Sequence, residues 1–523
     1  MRDYIFLYKD KLKKVVGCVV FLVLVCRLFS NITYLFRNVG TNRYNIVGLK
    51  SEDKDIDVLY IGGSAAFVYW EPLRAYKDYG FTSYDLAINS IQAENILPLI
   101  KYAEEYRHPD LYVIGIRAFQ YYSDDLYEQG VRNTSDSMGL TEIPRYELVS
   151  AFLNNHNTDE KTDKVSYYFD IAKYHTNSRN LRSEGAWEII NNNRANPYKG
   201  CELPDRWACM DEPTDYKTDE RAELLPNAQK ELDKILAYCD EKKLNVLFVV
   251  CPYSISKKHY AIYNTVGDQV KEHGYGYINA NDYFDEMGID FAKDFYNASH
   301  VNVYGAEKYT DFLGEYLADH YNLPDHRKDD SYNAWNDSVA QFEKYSDSIK
   351  AAVDKKISDA KFAVAQGQEI RETDEFARWS EYVNDYRYSL IFVGNGKELG
   401  ADHNGTVSSV DTKILGNLGI DVQTLYGSDS YINVKTDPMH NDSNWTMPEI
   451  IDNTVTVPVG QKDVKSEVVI DNRDNLCSIM IKGNEYSRRE KDGVNIVVFD
   501  NYFRTVIDSV TLKKQNNSIV IVR

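Results

Sequence analysis

The spacing of apolar positions changes from segment to segment along this chain. Residues 15–26 form an uncharged run behind Lys9, Lys11, Lys13 and Lys14. A bilayer-spanning helix needs about 20 apolar residues. Extending the run through Arg27 to Phe36 reaches that length, with Arg27 past the middle, where its long stem lets the charge snorkel outward. The pattern predicts one spanning helix within residues 1–40. The basic leader places the N-terminus in the cytoplasm and the remainder outside. A cleaved signal peptide is the rival reading, but no small-x-small site follows the run. Cys26 after Leu24-Val25 hints at a lipoprotein site, which the bulky Val25 fits badly, so an uncleaved signal anchor is favoured.

From residue 41 to 325, short β-branched runs alternate with helical spacing. Strands are expected at 58–61, 84–88, 109–116, 244–251 and 275–279. Helices are expected at 91–106 (Ile96, Leu99, Ile100 and Ala103 on one face), 229–242 and 266–273. This alternation predicts an α/β fold, a parallel sheet with helices on both faces. Residues 121–223 read as a polar, aromatic, loop-rich insertion that lids or lines a site. A charged break at 325–331 opens a linker, 326–380. Within it, residues 334–366 form one long helix with a narrow stripe of Val339, Phe342, Ile349, Val353, Ile357 and Phe362. That stripe fits a helix packed along one neighbour or a coiled-coil arm. Residues 381–523 are β-dominated, with strands expected at 389–393, 430–434, 467–470, 477–481, 493–499 and 506–512 and a helix at 411–418. They read as a compact β-rich module, a binder rather than an enzyme.

Charge narrows the partners. The 523 residues carry 80 acids against 60 bases, a net charge of −20. Nucleic acid is excluded as the main partner, because it calls for a basic face. Tyrosine, with 42 copies, suits sugar stacking and ordinary packing alike. The seven cysteines show no metal-ligand spacing, and the sequence calls for no metal and no cofactor. Cys239 and Cys251 flank an apolar run and read as core residues. Cys201 and Cys209 are candidates for bridging a small loop, which leaves Cys477 unpaired.

The chemistry gathers around Gly62-Gly63-Ser64. A strand ends there in a tight turn, and open α/β sheets place ligand chemistry at that edge. Taken alone, Ser64 is equally a helix cap. His300 changes the balance, because it follows the last strand of the α/β region and precedes its final helix, at the same edge. In Ile-Gly-Gly-Ser64 and in His300-Val-Asn-Val-Tyr-Gly305 the chain resembles the SGNH hydrolase superfamily over about residues 55–320. The likeness is to its membrane-anchored, DltD-like and AlgX-like branch of bacterial surface-polymer proteins. Gly-Gly stands in place of the usual Gly-Asp or Gly-Ser. The second block, normally glycine, falls at 87–90, and Arg117 stands where the third block has Asn.

The resemblance implies that Ser64 attacks an acyl carbonyl while His300 takes its proton and later returns it to the leaving oxygen. The N–H of Ser64, one from the 87–90 turn at Asn89, and the Arg117 side chain would hold the oxyanion. The family's acid three residues before the histidine is here Asn297, with Asp294 one turn earlier as a substitute. Arg132, Asp136 and His175 are candidates for contacting substrate, with surface-loop polarity as the alternative. Residues 386–515 resemble the interleukin-like EMT-inducer domain in Gly483-Asn-Glu-Tyr-Ser487, Gly493 to Asp500 and Val506 to Val510, which implies a glycan-binding accessory.

Together these features lead us to expect a single-pass cell-membrane protein facing outward. It would act as an O-acyltransferase or esterase on acetyl or D-alanyl groups of a cell-surface polysaccharide or teichoic-acid-like polymer. A membrane-bound O-acyltransferase is the expected partner. The alternative is an inactive glycan-binding scaffold. A Gly-x-Ser-x-Gly elbow is absent at Ser64.

Overall fold

The computed structural model describes residues 2–37, 42–120, 124–158, 163–182, 196–400, 407–436, 447–461 and 464–523. They form two units. Met1–Pro204, Pro213–Ile289 and Ser299–Asp347 make the first; Asp205–Glu212, Asp290–Ala298 and Ser348–Arg523 make the second.

The first unit begins with helix α1 (Arg2–Phe36), within which Lys11–Phe36 is long and apolar enough to cross a membrane. After α2 (Asn42–Lys50) the chain enters a five-stranded sheet of β1 (Val58–Gly62), β2 (Ser83–Ala87), β3 (Leu111–Gly115), β4 (Val246–Val250) and β5 (Gly276–Asn279). The strand order is β2-β1-β3-β4-β5 and every pairing is parallel. Strands β1, β2 and β4 are buried along their whole length. Such burial on both faces is why β1 and β4 read as continuous apolar runs rather than alternating ones, whereas β2 carries Ser83 and Asp85 into the interior. The helices α3 (Ser64–Phe67), α4 (Pro72–Tyr79) and α5 (Ala93–Tyr106) belong to the first crossovers. The chain leaves β1 toward β2, then returns past β1 to β3. That reversal opens a crevice at the carboxyl ends of β1 and β3.

The insertion is more helical than its polarity suggests. It holds α6 (Glu128–Ser135), α7 (Ile143–Asn155), α8 (Val165–Tyr168) and α9 (Ile171–Tyr174), followed by 3-10 turns over His175–Arg182. Pro144 lies in the first turn of α7, where its missing N–H costs nothing. Leu148, Val149 and Phe152 of that helix close a small core with Val131 and Tyr167. His156 Nε2 lies 2.9 Å from Glu94 Oε1, which ties the end of α7 to α5. The α/β region continues through α10 (Pro226–Lys242) and α11 (Lys257–Glu272). The short strands β6 (Phe295–Asn297) and β7 (His300–Val301) follow, then α12 (Val303–His320).

Helix α13 (Asn333–Glu372) is forty residues long, and the first unit gives way to the second inside it. The second unit adds α14 (Phe376–Val383) and two antiparallel sheets. One runs β16-β15-β14-β8-β9 and the other β10-β11-β12-β13. These strands are β8 (Tyr388–Gly394), β9 (Tyr431–Lys435), β10 (Thr454–Gln461), β11 (Val464–Asp471), β12 (Ser478–Ile481), β13 (Asn484–Glu485), β14 (Val494–Asp500), β15 (Thr505–Gln515) and β16 (Ser518–Val522). Alternation in β8 divides its side chains. Ile391 and Val393 pack with Val457, Val468 and Ile479 of the other sheet. Leu390 and Phe392 pack with Trp379 and Leu415 on the helical side. The module is therefore two facing sheets with a helical layer added to one of them. All seven cysteines are free, Cys201 and Cys209 included.

Candidate active site

Strand β1 delivers Ser64 to the crevice. Gly62 ends the strand, Gly63 is the N-cap of α3, and Ser64 is the first residue of that helix. A β-carbon on Gly63 would stand 2.7 Å from Ile91 Cγ2, so only glycine lets the turn approach the next loop this closely. The first N–H groups of any helix lack partners inside it; at α3 they belong to Ser64 and its neighbours.

His300 reaches the same point from the far end of the unit. Asn302 caps α12 by accepting from the Tyr304 N–H at 3.0 Å, and His300 sits two residues before that cap. Its Nε2 lies 2.6 Å from Ser64 Oγ, across 236 residues of sequence. The backbone just ahead of His300 is clamped. Arg117 Nη1 and Tyr69 OH both donate to the Ser299 carbonyl oxygen, at 2.7 and 2.9 Å. Helix α12 also steadies the segment after Ser64: Thr310 Oγ1 donates to the Tyr69 carbonyl at 3.1 Å and accepts from the Glu71 N–H at 3.0 Å.

Ser64 and His300 open into a cavity of about 220 Å³ whose walls include Gly63, Ser90, Ile91, Arg117, Cys251 and His300. Sites for drug-sized ligands run to roughly 300–1,000 Å³, so this space suits a short acyl group. Arg117 stacks over the Tyr253 ring at 4.1 Å, and its Nε has no hydrogen-bond partner. Burial opposes the Arg117 charge. The surrounding Cys251, Tyr69, Tyr263 and Tyr253 outweigh that and hold its proton more firmly than usual. Burial likewise pushes the Cys251 thiol up, despite Arg117 beside it, so it stays protonated. Behind Arg117, burial and the arginine's charge push His259 down. The cavity therefore pairs a neutral thiol with a permanent cation.

The remaining candidates divide. In the turn after β2, Ser90 takes a left-handed φ of 63° and lines the cavity. The Asn89 carbonyl accepts from Asn133 Nδ2 at 2.9 Å, which pins α6 to that turn. Asp294 is fully buried, and its Oδ2 accepts from the Asp290 N–H at 2.7 Å. Asn297 closes β6; both residues fall in the segment that belongs to the second unit. Arg132 and Asp136 line a different cavity of about 440 Å³, with Tyr127, Glu128, Lys173 and Tyr174. Arg132 there is paired with Glu128 at 2.6 Å and donates to Ser166 Oγ at 2.9 Å. Asp136 is buried and accepts from Tyr174 OH at 2.7 Å. His175 is exposed, with Nδ1 2.8 Å from the Ala172 carbonyl. Neither cavity takes in His175. Tyr69 and the Ser299 carbonyl were not legible as site groups, because a clamp on a backbone oxygen leaves no side-chain signature. Among the described residues, no cluster of His, Cys, Asp or Glu could hold a metal ion.

No protein-family model matches the chain, and no curated protein matches it.

Proposed function

We propose that the first unit is an SGNH-type acyl-transfer enzyme carried on a membrane anchor. It would move or remove a short acyl group, acetyl or D-alanyl in size, on a bacterial cell-surface polymer. The observation that carries this reading is the 2.6 Å approach of Ser64 Oγ to His300 Nε2 at the carboxyl end of β1. In this reading Oγ attacks the acyl carbonyl as its proton passes to Nε2. The imidazolium then returns the proton to the leaving oxygen, and water or an acceptor hydroxyl releases the acyl group from Ser64. The N–H groups at the start of α3 and the fixed charge of Arg117 face the charge that develops on the carbonyl oxygen. The size of the cavity and the apolar length of α1 support a small acyl group and a membrane setting. The orientation of α1, the glycan-binding role of the second unit and a membrane-bound O-acyltransferase partner belong to the same proposal. Its test is hydrolysis of a soluble acetyl ester by the full chain: Ser64→Ala abolishes it if the reading holds.

One residue favours a second reading, a scaffold that binds glycan without turnover. Asn297 stands where the family pattern places an acid, and asparagine cannot stabilise a protonated imidazole. In the serine-protease triad, Asp to Asn lowers turnover about 10⁴-fold. Ester hydrolysis that appears only in Asn297→Asp supports the scaffold; hydrolysis by the native chain excludes it.

A further inference from the structure

Side chains of α1 from residue 11 to 29 are exposed, whereas Thr33, Leu35, Phe36 and Arg37 are buried within the first unit. Charges stop at Lys14, so the apolar stretch ahead of the first buried residue is 15–32, exposed to residue 29, half-buried over 30–32 and interrupted only by Arg27. Eighteen helical residues span about 27 Å, against about 30 Å of hydrocarbon, so the protein around residues 30–37 lies at the edge of the bilayer.

The elements that enclose residues 30–37 come from the insertion. Leu35 and Phe36 pack with Tyr174, Ile32 and Ile171. Asn177 Nδ2 donates to the Phe36 carbonyl at 2.9 Å. Arg37 forms a fully buried ion pair with Asp170, and its Nη1 donates to the Asp136 carbonyl at 2.9 Å. Phe169 is the neighbour of Asp170 in the chain, and its N–H donates to the Val165 carbonyl at 2.8 Å, one turn back. Val165 and Phe169 therefore share one face beside the point where α1 enters the unit. Each is 61% exposed, apolar area whose removal from water is favourable. Lys164 directly precedes them and is exposed, which places an amine at headgroup depth beside the apolar pair.

We propose that the Val165–Phe169 face of the insertion is a second membrane contact. It sinks into the lipid interface beside the end of α1. The occupant is lipid, because the face belongs to the insertion that encloses the end of the membrane-crossing helix, with Asp170 next to Phe169 paired to Arg37. The inference rests on the anchor reading above. The first unit then sits against the bilayer without a spacer, with the Arg132 cavity on the membrane-proximal insertion.

The test uses the full chain in phosphatidylcholine vesicles, with Cys18, Cys26 and Cys209 replaced by serine. An environment-sensitive fluorophore is placed at Phe169→Cys, at Val23→Cys in the helix, and at Lys258→Cys as an exposed control. The proposal expects doxyl-labelled lipid to quench positions 23 and 169, and aqueous iodide to quench position 258 at least 5-fold more than position 169. Quenching by doxyl at 23 with iodide access at 169 equal to the control overturns the second contact while leaving the anchor. Failure of doxyl quenching at 23 overturns both. Shielding of 169 from iodide without doxyl quenching, rising with protein density, assigns the face to a second copy and also overturns the proposal.

Discussion

Arg117 Nη1 holds the carbonyl oxygen of Ser299 at 2.7 Å, one residue before His300. The arginine thus acts on the site partly through backbone, by fixing where the imidazole starts. Arg117→Gln should slow reaction of Ser64 with a serine-directed phosphonate by about 10- to 100-fold, the order expected when a reacting group is displaced by about 1 Å. It also removes a nearby cation, so the pH midpoint of the rate should rise. Arg117→Lys keeps the charge and loses the planar fork; it should restore the midpoint and only part of the rate. Native labelling by Arg117→Gln contradicts the clamp.

Strands β1, β3 and β4 were legible because burial leaves near-continuous apolar runs, while β2 and β5 showed only as short segments between turn residues and helical spacing. The five-stranded parallel sheet, the N-terminal apolar helix and the antiparallel region appear much as the periodicity predicts. The insertion was not, because α6 to α9 are short and bury narrow stripes among many polar residues. Strand β10 was also missed, although its alternating Val455, Val457 and Val459 all face the core. Pro458 within it argues against a strand unless the strand lies at an edge, and β10 is an edge strand. Ser64 and His300 could be singled out by type and position. Their contact, and the clamp behind it, needed the coordinates.

Gly63 tests how tightly the turn is drawn. A β-carbon there meets Ile91 Cγ2 at 2.7 Å. Gly63→Ala should cost about 1–3 kcal/mol, read as a lower urea midpoint. Ile91→Ala in the same chain should recover much of it, because touching residues are not additive. Equal stability of Gly63→Ala and native protein contradicts the close approach.

The Arg37–Asp170 pair fastens α1 to the insertion, with both side chains fully buried. Removing one partner of a buried pair costs about 3–5 kcal/mol. Arg145 Nη2 remains 3.5 Å from Asp170, so Arg37→Ala should fall near the low end. Detergent-solubilised Arg37→Ala should show faster proteolysis in the insertion; native protection contradicts the fastening.

Asp85 has both carboxyl oxygens buried without a hydrogen-bond partner among the described residues, and burial alone pushes its pKa well above the ordinary carboxylate value. The folded state then holds a proton that the unfolded chain releases. Stability from this group is lost as pH rises above the unfolded value toward the folded one. Asp85→Asn has no proton to lose. Its urea midpoint should gain on the native protein from roughly pH 5 to 8, and parallel curves contradict the assignment.

The central claim is that Ser64 is a nucleophile activated by His300, and covalent labelling reads it most directly. Intact-mass analysis of the full chain treated with a serine-directed fluorophosphonate should show one adduct, mapped to Ser64. The adduct should vanish in Ser64→Ala and form at least 100-fold more slowly in His300→Ala, given typical general-base contributions of about 10²–10⁴. An adduct that persists in Ser64→Ala, or its absence from the native chain, contradicts the account.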